Sequence, residues 1–281
     1  MQLCFFTTGA CDYLGFVYAQ NLTSTTWEML NLRRQLQFRY YARDQNCSGN
    51  FSFVALSSIV QPINYNEPTQ IHVAYGDRID QMFVSFVTNS NSHTPRCQYG
   101  LSPSLFDWEV NGTTLTYTAS DMCEGKANIW GPQNFIDPGF MHTILLNNLR
   151  TSTMYFYRVG TDDDGWSSVY SFTSRPTNGG SEVNLIAYGD LGVAPFATGT
   201  KSTVDRVRAR LMSTNITCLL HIGDISYAMG IAVLWDAFMS QMGPIASRVP
   251  YMVGIGNHEY DYITGSDKDP SGTSDSFRPK W

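Results

Sequence analysis

From residue 183 onward the sequence alternates short apolar runs with helical patterns, and this alternation is its strongest constraint on the fold. Apolar strands separated by helices are typical of a parallel sheet with helices packed on its faces. We therefore expect an α/β unit in this part of the chain. Its expected strands are residues 183–188, 217–222 and 251–255, and its expected helices are residues 200–213 and 231–242.

Two details of these helices can be compared directly with a structure. The second helix should end at Gly243-Pro244, because proline lacks the backbone N–H that a helix interior requires. The first helix is predicted from apolar residues that recur at helical spacing, namely Val204, Val207, Leu211 and Met212.

A polar motif begins where each expected strand ends. Ligands of open parallel sheets bind beyond the carboxyl ends of the strands, so side chains from the three motifs should converge there. The glycine that opens each motif lets the backbone turn sharply away from the strand. The motifs are Gly189-Asp190-Leu191-Gly192, Gly223-Asp224-Ile225-Ser226-Tyr227 and Gly256-Asn257-His258-Glu259.

The residue types in these motifs indicate a metal site. Carboxylate, phenol and amide oxygens suit hard, highly charged cations, and a tyrosine phenolate favours ferric iron. Two aspartates in one crevice would repel each other unless a cation lay between them. Taken singly, Asp190 or Asp224 has the alternative role of a helix N-cap. Glu259 is expected to orient its neighbours or bind solvent rather than react.

Residues 68–174 read instead as successive short strands with turns and no helical period, which is typical of an antiparallel sandwich. The tetrapeptide Ala-Tyr-Gly-Asp occurs at Ala74–Asp77 and again at Ala187–Asp190, and the first copy is expected to be only a hairpin turn. Arg175–Gly180 reads as a linker to the α/β unit. The expected strands are residues 70–75, 81–88, 114–118, 140–146, 154–159 and 167–173.

Composition narrows the classes of function and partner. A net charge of -6 argues against nucleic-acid binding. The sequence contains no run of about 20 apolar residues, so it predicts no membrane-spanning helix. Residues 1–19 contain no Lys or Arg, so the positive region of a secretory signal peptide is missing from this chain. Five glycosylation sequons hint at a secretory route, at Asn21, Asn46, Asn50, Asn111 and Asn215.

Cys97 and Cys123 both lie in the β-rich region, and the sequence leaves open whether they form a disulfide. Cys218 lies inside an apolar run and is expected to be a buried free thiol.

The ordered series G-D-x-G, G-D-x-x-Y, G-N-H-E resembles the first three of five motifs of purple acid phosphatases, within the metallophosphoesterase superfamily. The stretch from His221 through Asp261 resembles the larger, plant-type forms. The resemblance implies an α+β multidomain chain. We expect the chain to divide into an incomplete β-rich segment (1–66), a fibronectin-type-III-like antiparallel β-sandwich (67–176) and the first half of an αββα metallophosphoesterase sandwich (181–281).

The resemblance also implies residue roles in phosphomonoester hydrolysis at two metal ions. Asp190 and Tyr227 would bind Fe(III), Asp224 would bridge both ions, and Asn257 would bind a divalent ion, which is zinc, manganese or iron. His258 would contact the phosphate as the catalytic residue. A phosphate ester would be the substrate, a secretory-pathway or vacuolar location would be expected, and a homodimer is one candidate state for the full-length parent.

The family's two remaining motifs, V-x-x-H and G-H-x-H, supply three His ligands, yet no His follows His258. We therefore expect this chain to stop after the third motif, to hold its metals incompletely, and to expose the apolar face of an unfinished sheet. His72, His93, His142 and His221 are not expected to replace the missing ligands.

Two further hypotheses stay open beside phosphomonoester hydrolysis. One is a catalytically inactive binding module that acts through its sandwich. The other is a parent protein that acts on nucleotide pyrophosphates or phosphodiesters.

Overall fold

The structure is a computed structural model. It describes residues 2–5, 29–43, 51–121, 135–177, 182–194, 196–228 and 233–260. Cys123 and the sequons at Asn21, Asn46 and Asn50 lie outside these ranges.

The described residues between Thr69 and Thr173 form two facing antiparallel sheets, as the pattern of short strands predicts. One sheet has the order β4-β5-β9-β8, and the other has the order β11-β10-β6-β7 with β12 also paired to β10. A short 3-10 helix, Ala119–Asp121, follows β8. The strands are β4 (Thr69–Tyr75), β5 (Met82–Thr88), β6 (Arg96–Gly100), β7 (Trp108–Asn111), β8 (Thr113–Leu115), β9 (Phe140–Leu146), β10 (Met154–Thr161), β11 (Gly165–Trp166) and β12 (Tyr170–Thr173).

Inward-facing residues of both sheets build one core, in which Val73, Val84, Ile144 and Tyr157 are completely buried. Alternate residues of a strand point to the same face, so each strand contributes every second side chain to this core. The first Ala-Tyr-Gly-Asp copy lies at the hairpin between β4 and β5, as expected.

Cys97 belongs to this core and carries a free, fully buried thiol, while its possible disulfide partner Cys123 lies outside the described residues. Burial raises the pKa of the Cys97 thiol well above its ordinary value. Cys218 is also buried and free, which confirms the sequence-based expectation.

The C-terminal part is a parallel sheet in the order β13-β14-β15. Helices α1 and α2 pack on one face of it, where Val207, Leu219 and Phe238 share a core. The elements are β13 (Leu185–Tyr188), α1 (Thr200–Ser213), β14 (Cys218–Ile222), α2 (Val233–Ala246), β15 (Tyr251–Gly254) and the single turn α3 (Asn257–Tyr260).

The other face of this sheet presents apolar side chains to solvent. Leu185 is 52% exposed and Ile222 is 70% exposed. Within the described residues this confirms the expected exposed apolar surface, although Tyr75 of the sandwich covers part of this face near Thr217 and Met252.

Two helix predictions are wrong in detail. Helix α2 does not end at Gly243-Pro244 but continues to Ala246, with Pro244 inside it. Ile245 and Ala246 are completely buried, so their packing outweighs the backbone hydrogen bond that Pro244 removes. Met212 is 92% exposed and does not share the buried face of α1 with Val204 and Val207.

Residues 29–36 lead into a separate antiparallel sheet of three strands, β1 (Gln2–Phe5), β2 (Leu36–Arg43) and β3 (Phe51–Leu56). Before they reach it, Leu32 and Leu36 pack against Ile136 and against Val233 at the start of α2. Arg33 forms a buried ion pair with Asp236 of α2 at 2.9 Å. The sandwich also contacts the end of α2, since the Tyr157 hydroxyl donates to the carbonyl of Ser247, which follows that helix, at 2.7 Å.

Within the described ranges, no helix is both long enough and apolar enough to cross a membrane.

Candidate metal centre

The loops that follow β13 and β14 run side by side and bring the first two motifs together. The backbone N–H groups of Asp190 and Leu191 donate to the carbonyls of Gly223 and Asp224 at 3.2 and 3.1 Å. These bonds continue the pairing of the two strands beyond their carboxyl ends. The convergence expected from the sequence is therefore built by the backbone itself.

Tyr227 joins the two aspartates through its phenol oxygen. Its hydroxyl lies 2.9 Å from Asp190 Oδ1 and 3.2 Å from Asp224 Oδ2. Asp190 is exposed, Tyr227 is half-buried and Asp224 is only 8% exposed. Three oxygen-bearing side chains from two loops thus surround one point at the mouth of the sheet.

All three of these residues adopt a backbone conformation that side chains disfavour. Their φ angles are 52° for Asp190, 52° for Asp224 and 49° for Tyr227. Positive φ in residues other than glycine costs free energy and is concentrated at functional sites, where the surrounding structure enforces it. Neither aspartate caps a helix, because Gly199 precedes α1 and α2 begins only at Val233.

The third motif completes the arrangement from the opposite side. The backbone N–H of His258 donates to Asp224 Oδ1 at 3.0 Å, so each carboxylate oxygen of Asp224 has one partner. The imidazole of His258 lies against the Tyr227 ring, with ring centroids 4.5 Å apart. Asn257 begins α3 and is exposed, so its amide is open to solvent at the same edge.

Glu259 connects the second and third motifs through hydrogen bonds of its carboxylate. Its carboxylate accepts three backbone N–H groups, from Asp224 at 2.9 Å, Ile225 at 2.8 Å and Gly256 at 3.0 Å. The residue is 3% exposed. Three N–H donors compensate a buried carboxylate without a neighbouring cation, so the expected orienting role has a definite geometry.

Two glycines allow the loops after β14 and β15 to approach this closely. Gly223 has a φ of 103°, and a Cβ added there would lie 2.8 Å from the Cα of Gly256. A Cβ on Gly256 would overlap the carboxylate and backbone N of Asp224. Any side chain at Gly256 would therefore displace Asp224.

The electrostatics of the cluster favour a bound cation. Burial, followed by the hydrogen bond to Asp190, raises the pKa of the Tyr227 phenol well above its ordinary value. A phenolate beside two carboxylates concentrates negative charge, which a multivalent cation would neutralise.

The donor set fits a hard metal ion in chemistry, with two carboxylates, a phenol and an exposed amide. No group of three or more His, Cys, Asp or Glu residues in the described ranges could hold a metal. The candidate centre therefore depends on Tyr227 and Asn257 in addition to its two carboxylates.

His221 lies in β14 close to these loops but belongs to the core. It is 1% exposed, its Nδ1 lies 2.5 Å from the Tyr251 hydroxyl, and burial lowers its pKa to about 4. The rings of Tyr188, Phe238 and Tyr251 surround its imidazole.

The sequence and the structure of this chain are similar to those of known proteins. Residues 68–174 match the family model described as the purple acid phosphatase N-terminal domain. A "Probable inactive purple acid phosphatase 9" of Arabidopsis thaliana is 38% identical over 208 residues, which is 70% of this chain. A "Nucleotide pyrophosphatase/phosphodiesterase" of Hordeum vulgare is 36% identical over 115 residues, which is 36% of this chain.

A solved purple acid phosphatase from yellow lupin (Lupinus luteus) seeds superimposes with a TM-score of 0.74 at 28% identity and covers 89% of this chain. The chain spans 31% of the length of each of the two curated relatives and 45% of the lupin chain.

Proposed function

This chain belongs to the purple acid phosphatase family, and on that basis we propose that its C-terminal part supplies ligands to a dinuclear metal centre that hydrolyses phosphomonoesters. In this proposal Asp190, Asp224, Tyr227 and Asn257 hold the metals, and His258 contacts the phosphate. The metals are Fe(III) and a divalent ion.

The observation that carries the proposal is the shared position of three oxygen ligands. The Tyr227 hydroxyl reaches a carboxylate of each of the first two motifs, at 2.9 and 3.2 Å. Tertiary structure brings these groups together from positions that are far apart in the sequence, and it keeps all three at positive φ. Backbone strain of this kind is concentrated at functional sites, although Arg33 adopts it outside this centre.

When bound, two metal ions acidify a water molecule and stabilise the charge that develops on the phosphate oxygens. The chain's own contribution is positional. The Glu259 carboxylate fixes the backbone of Asp224, and the Asp224 carboxylate accepts the backbone N–H of His258. The imidazole of His258 is held against the Tyr227 ring, at the edge where a phosphate would enter.

A non-hydrolytic role is the second candidate, in which the chain binds through its sandwich and does not turn over an ester. The name of the Arabidopsis relative, which includes the words "Probable inactive", supports it. The barley relative's name supports a third substrate class, nucleotide pyrophosphates and phosphodiesters, for a full-length parent.

We also propose a cellular location and an oligomeric state, both from the family relationship alone. A secretory-pathway or vacuolar location fits the plant relatives, and the sequon at Asn111 lies in an exposed strand of the sandwich. A homodimer is the candidate assembly of the full-length parent.

The test is a titration of the purified chain with Fe(III), followed by visible absorption. Coordination of the Tyr227 phenolate should produce a visible charge-transfer band, and Tyr227→Phe should abolish it. Tyr65→Phe, remote from the centre, is the matched control and should retain the band. Turnover of p-nitrophenyl phosphate, a dinucleotide and a nucleoside diphosphate is measured on the same samples.

The outcomes separate the hypotheses. No band in the unmodified chain, or a band that survives Tyr227→Phe, would contradict metal ligation at this centre. A band that depends on Tyr227 without hydrolysis would favour the non-hydrolytic role. Hydrolysis of the dinucleotide or diphosphate in preference to the monoester would favour the third class.

A further inference from the structure

A cavity of about 360 Å³ lies where residues 30–32, the start of β4 and helix α2 meet. Its volume is at the lower end of the range of small-molecule sites, and such sites are frequent at domain junctions. The described residues that line it do not include any member of the candidate metal centre. Two charged residues belong to the lining, Asp236 and Arg248, and the balance between them determines which ligands fit.

The negative charge of Asp236 is compensated before any ligand binds. Arg33 Nη2 at 2.9 Å and Gln70 Nε2 at 2.6 Å both donate to its Oδ1. The side chains of this ion pair are 4% exposed for Arg33 and 11% exposed for Asp236. A buried carboxylate that is paired in this way does not require a cation in the cavity.

The positive charge of Arg248, in contrast, has no carboxylate partner. Within the described part of the chain its guanidinium forms neither a salt bridge nor a hydrogen bond, and the residue is exposed. Its backbone is fixed just beyond α2, because its N–H donates to the Ile245 carbonyl at 3.0 Å. The planar guanidinium fork matches a carboxylate in geometry and in charge. The cavity therefore offers one uncompensated cation to a ligand.

Two hydroxyl groups lie on the same lining and are accessible to a ligand. Tyr170 and Ser240 are both partly exposed, and neither hydroxyl bonds to a described residue. Burial raises the pKa of the Tyr170 phenol, and the charge of Arg248 partly offsets that rise, which shows that the two side chains are close.

Most of the remaining lining is apolar. It includes Leu30, Leu32, Ile71, Met239 and Pro244. One free cation, two hydroxyl donors and an apolar wall suit a ligand that carries a single negative charge on an apolar body. Inorganic phosphate fits less well, because it has no apolar part and its second charge would face the Asp236 carboxylate without another free cation.

We propose that this cavity binds a small monocarboxylate with an apolar body, of the size of an aromatic acid. The Arg248 guanidinium pairs with the carboxylate, and the hydroxyls of Tyr170 and Ser240 are its additional donors. The apolar body packs against Met239 and Pro244. This binding site is separate from the candidate metal centre and does not depend on the proposed hydrolysis.

The experiment uses the purified chain at neutral pH with benzoate, benzamide and inorganic phosphate as probes, in isothermal titration calorimetry. Saturable binding of benzoate is expected. Benzamide has nearly the same shape without the charge and should bind at least about tenfold more weakly, since it lacks the charge-assisted hydrogen bonds. Phosphate should also bind at least about tenfold more weakly than benzoate, because it gains nothing from the apolar wall.

Variants of the chain assign the contacts. Arg248→Gln should weaken benzoate binding by about ten- to a hundredfold, the amount that hydrogen bonds to a charged group contribute, and should leave benzamide binding unchanged. Ser240→Leu should weaken the binding of both by reducing the cavity. Arg206→Gln, which removes an exposed cation of α1, is the matched control and should bind benzoate like the unmodified chain.

Three results would overturn the proposal. The first is the absence of saturable benzoate binding to the folded chain. The second is benzoate binding that Arg248→Gln leaves unchanged in a variant whose thermal unfolding matches that of the unmodified chain. The third is binding of benzamide or phosphate as tight as that of benzoate. Arg248 is exposed and has no partner among the described residues, so Arg248→Gln keeps the test valid even if Ser240→Leu does not fold.

Discussion

Substituting Glu259 with Gln should destabilise the chain by loosening the loops of the candidate metal centre. The carboxylate accepts Ile225 N–H through Oε1, and Asp224 and Gly256 N–H through Oε2. A glutamine amide has one oxygen and one NH₂ group, so the NH₂ must face at least one backbone donor. The favoured orientation places the oxygen where Oε2 was and leaves the N–H of Ile225 without an acceptor.

The magnitude follows from these three bonds. One buried N–H that loses its acceptor costs about 1–3 kcal/mol. The two remaining bonds change from charge-assisted to neutral, which weakens each by about 1 kcal/mol. After allowance for relaxation, Glu259→Gln should lower the free energy of unfolding by about 2–4 kcal/mol.

Urea unfolding measured by tryptophan fluorescence and by circular dichroism gives this free energy. Glu182→Gln is the matched control, because Glu182 is exposed and should change stability by no more than about 0.5 kcal/mol. Zn²⁺ affinity measured by calorimetry under native conditions should also fall for Glu259→Gln, since Asp224 loses its support. A loss of stability below about 1 kcal/mol, with unchanged Zn²⁺ affinity, would refute the reasoning.

Three further predictions address other parts of the molecule. Gly256→Ala should destabilise the chain by about 1–3 kcal/mol and weaken Zn²⁺ binding, while Gly254→Ala, whose Cβ would meet only one atom at 3.9 Å, should do neither in the same urea and calorimetric assays. Arg33→Leu should cost about 3–5 kcal/mol in urea unfolding, because it leaves the buried Asp236 carboxylate unpaired, and adding Asp236→Leu should restore most of the loss. Burial lowers the pKa of His142 from 6.5 to about 4, so the unfolded chain binds the extra proton between these values and stability falls as the pH drops through this window. In urea unfolding at several pH values, His142→Gln should make that fall shallower by up to about 1.4 kcal/mol per pH unit.

The alternation of apolar strands and helices was sufficient to predict the parallel sheet. Strands 217–222 and 251–255 were placed within one residue of β14 and β15, because strands covered by helices are apolar along much of their length. The exposed apolar face was expected from the family resemblance instead, because a second sheet covers that face in an αββα sandwich. In the sandwich, β9 was predicted with its observed bounds, Phe140–Leu146.

Strands with a polar appearance were missed. In β6 the inward residues are Cys97 and Tyr99, which alternate with Arg96 and Gln98, so the strand lacks the apolar run that marks its neighbours. β7 is mostly exposed and has no buried face to produce a pattern. Both strands form because their backbones pair with the sheet, and that is a tertiary effect that local composition does not record.

The candidate site was predicted in its residue types but not in its atomic contacts. The three motifs and the rule for strand ends gave Asp190, Asp224, Tyr227, Asn257 and His258 as a group. Nothing in the sequence specifies that the Tyr227 hydroxyl lies between two carboxylates. The three backbone donors of Glu259 likewise depend on how the loops approach, which Gly223 and Gly256 make possible only in the folded chain.

Residues 29–36 include the part of the N-terminal segment that sequence patterns do not predict, ahead of the strands β2 and β3. The segment has no periodicity that marks a core, because its buried groups pack against other parts of the chain rather than against one another. Arg33 is held at a φ of 58° and reaches Asp236, while Leu32 contacts the start of α2. Since α2 packs against the parallel sheet, substitutions in residues 29–36 should also affect that sheet. The segment is therefore an integral support of the C-terminal sheet, even though its own sequence resembles a connection.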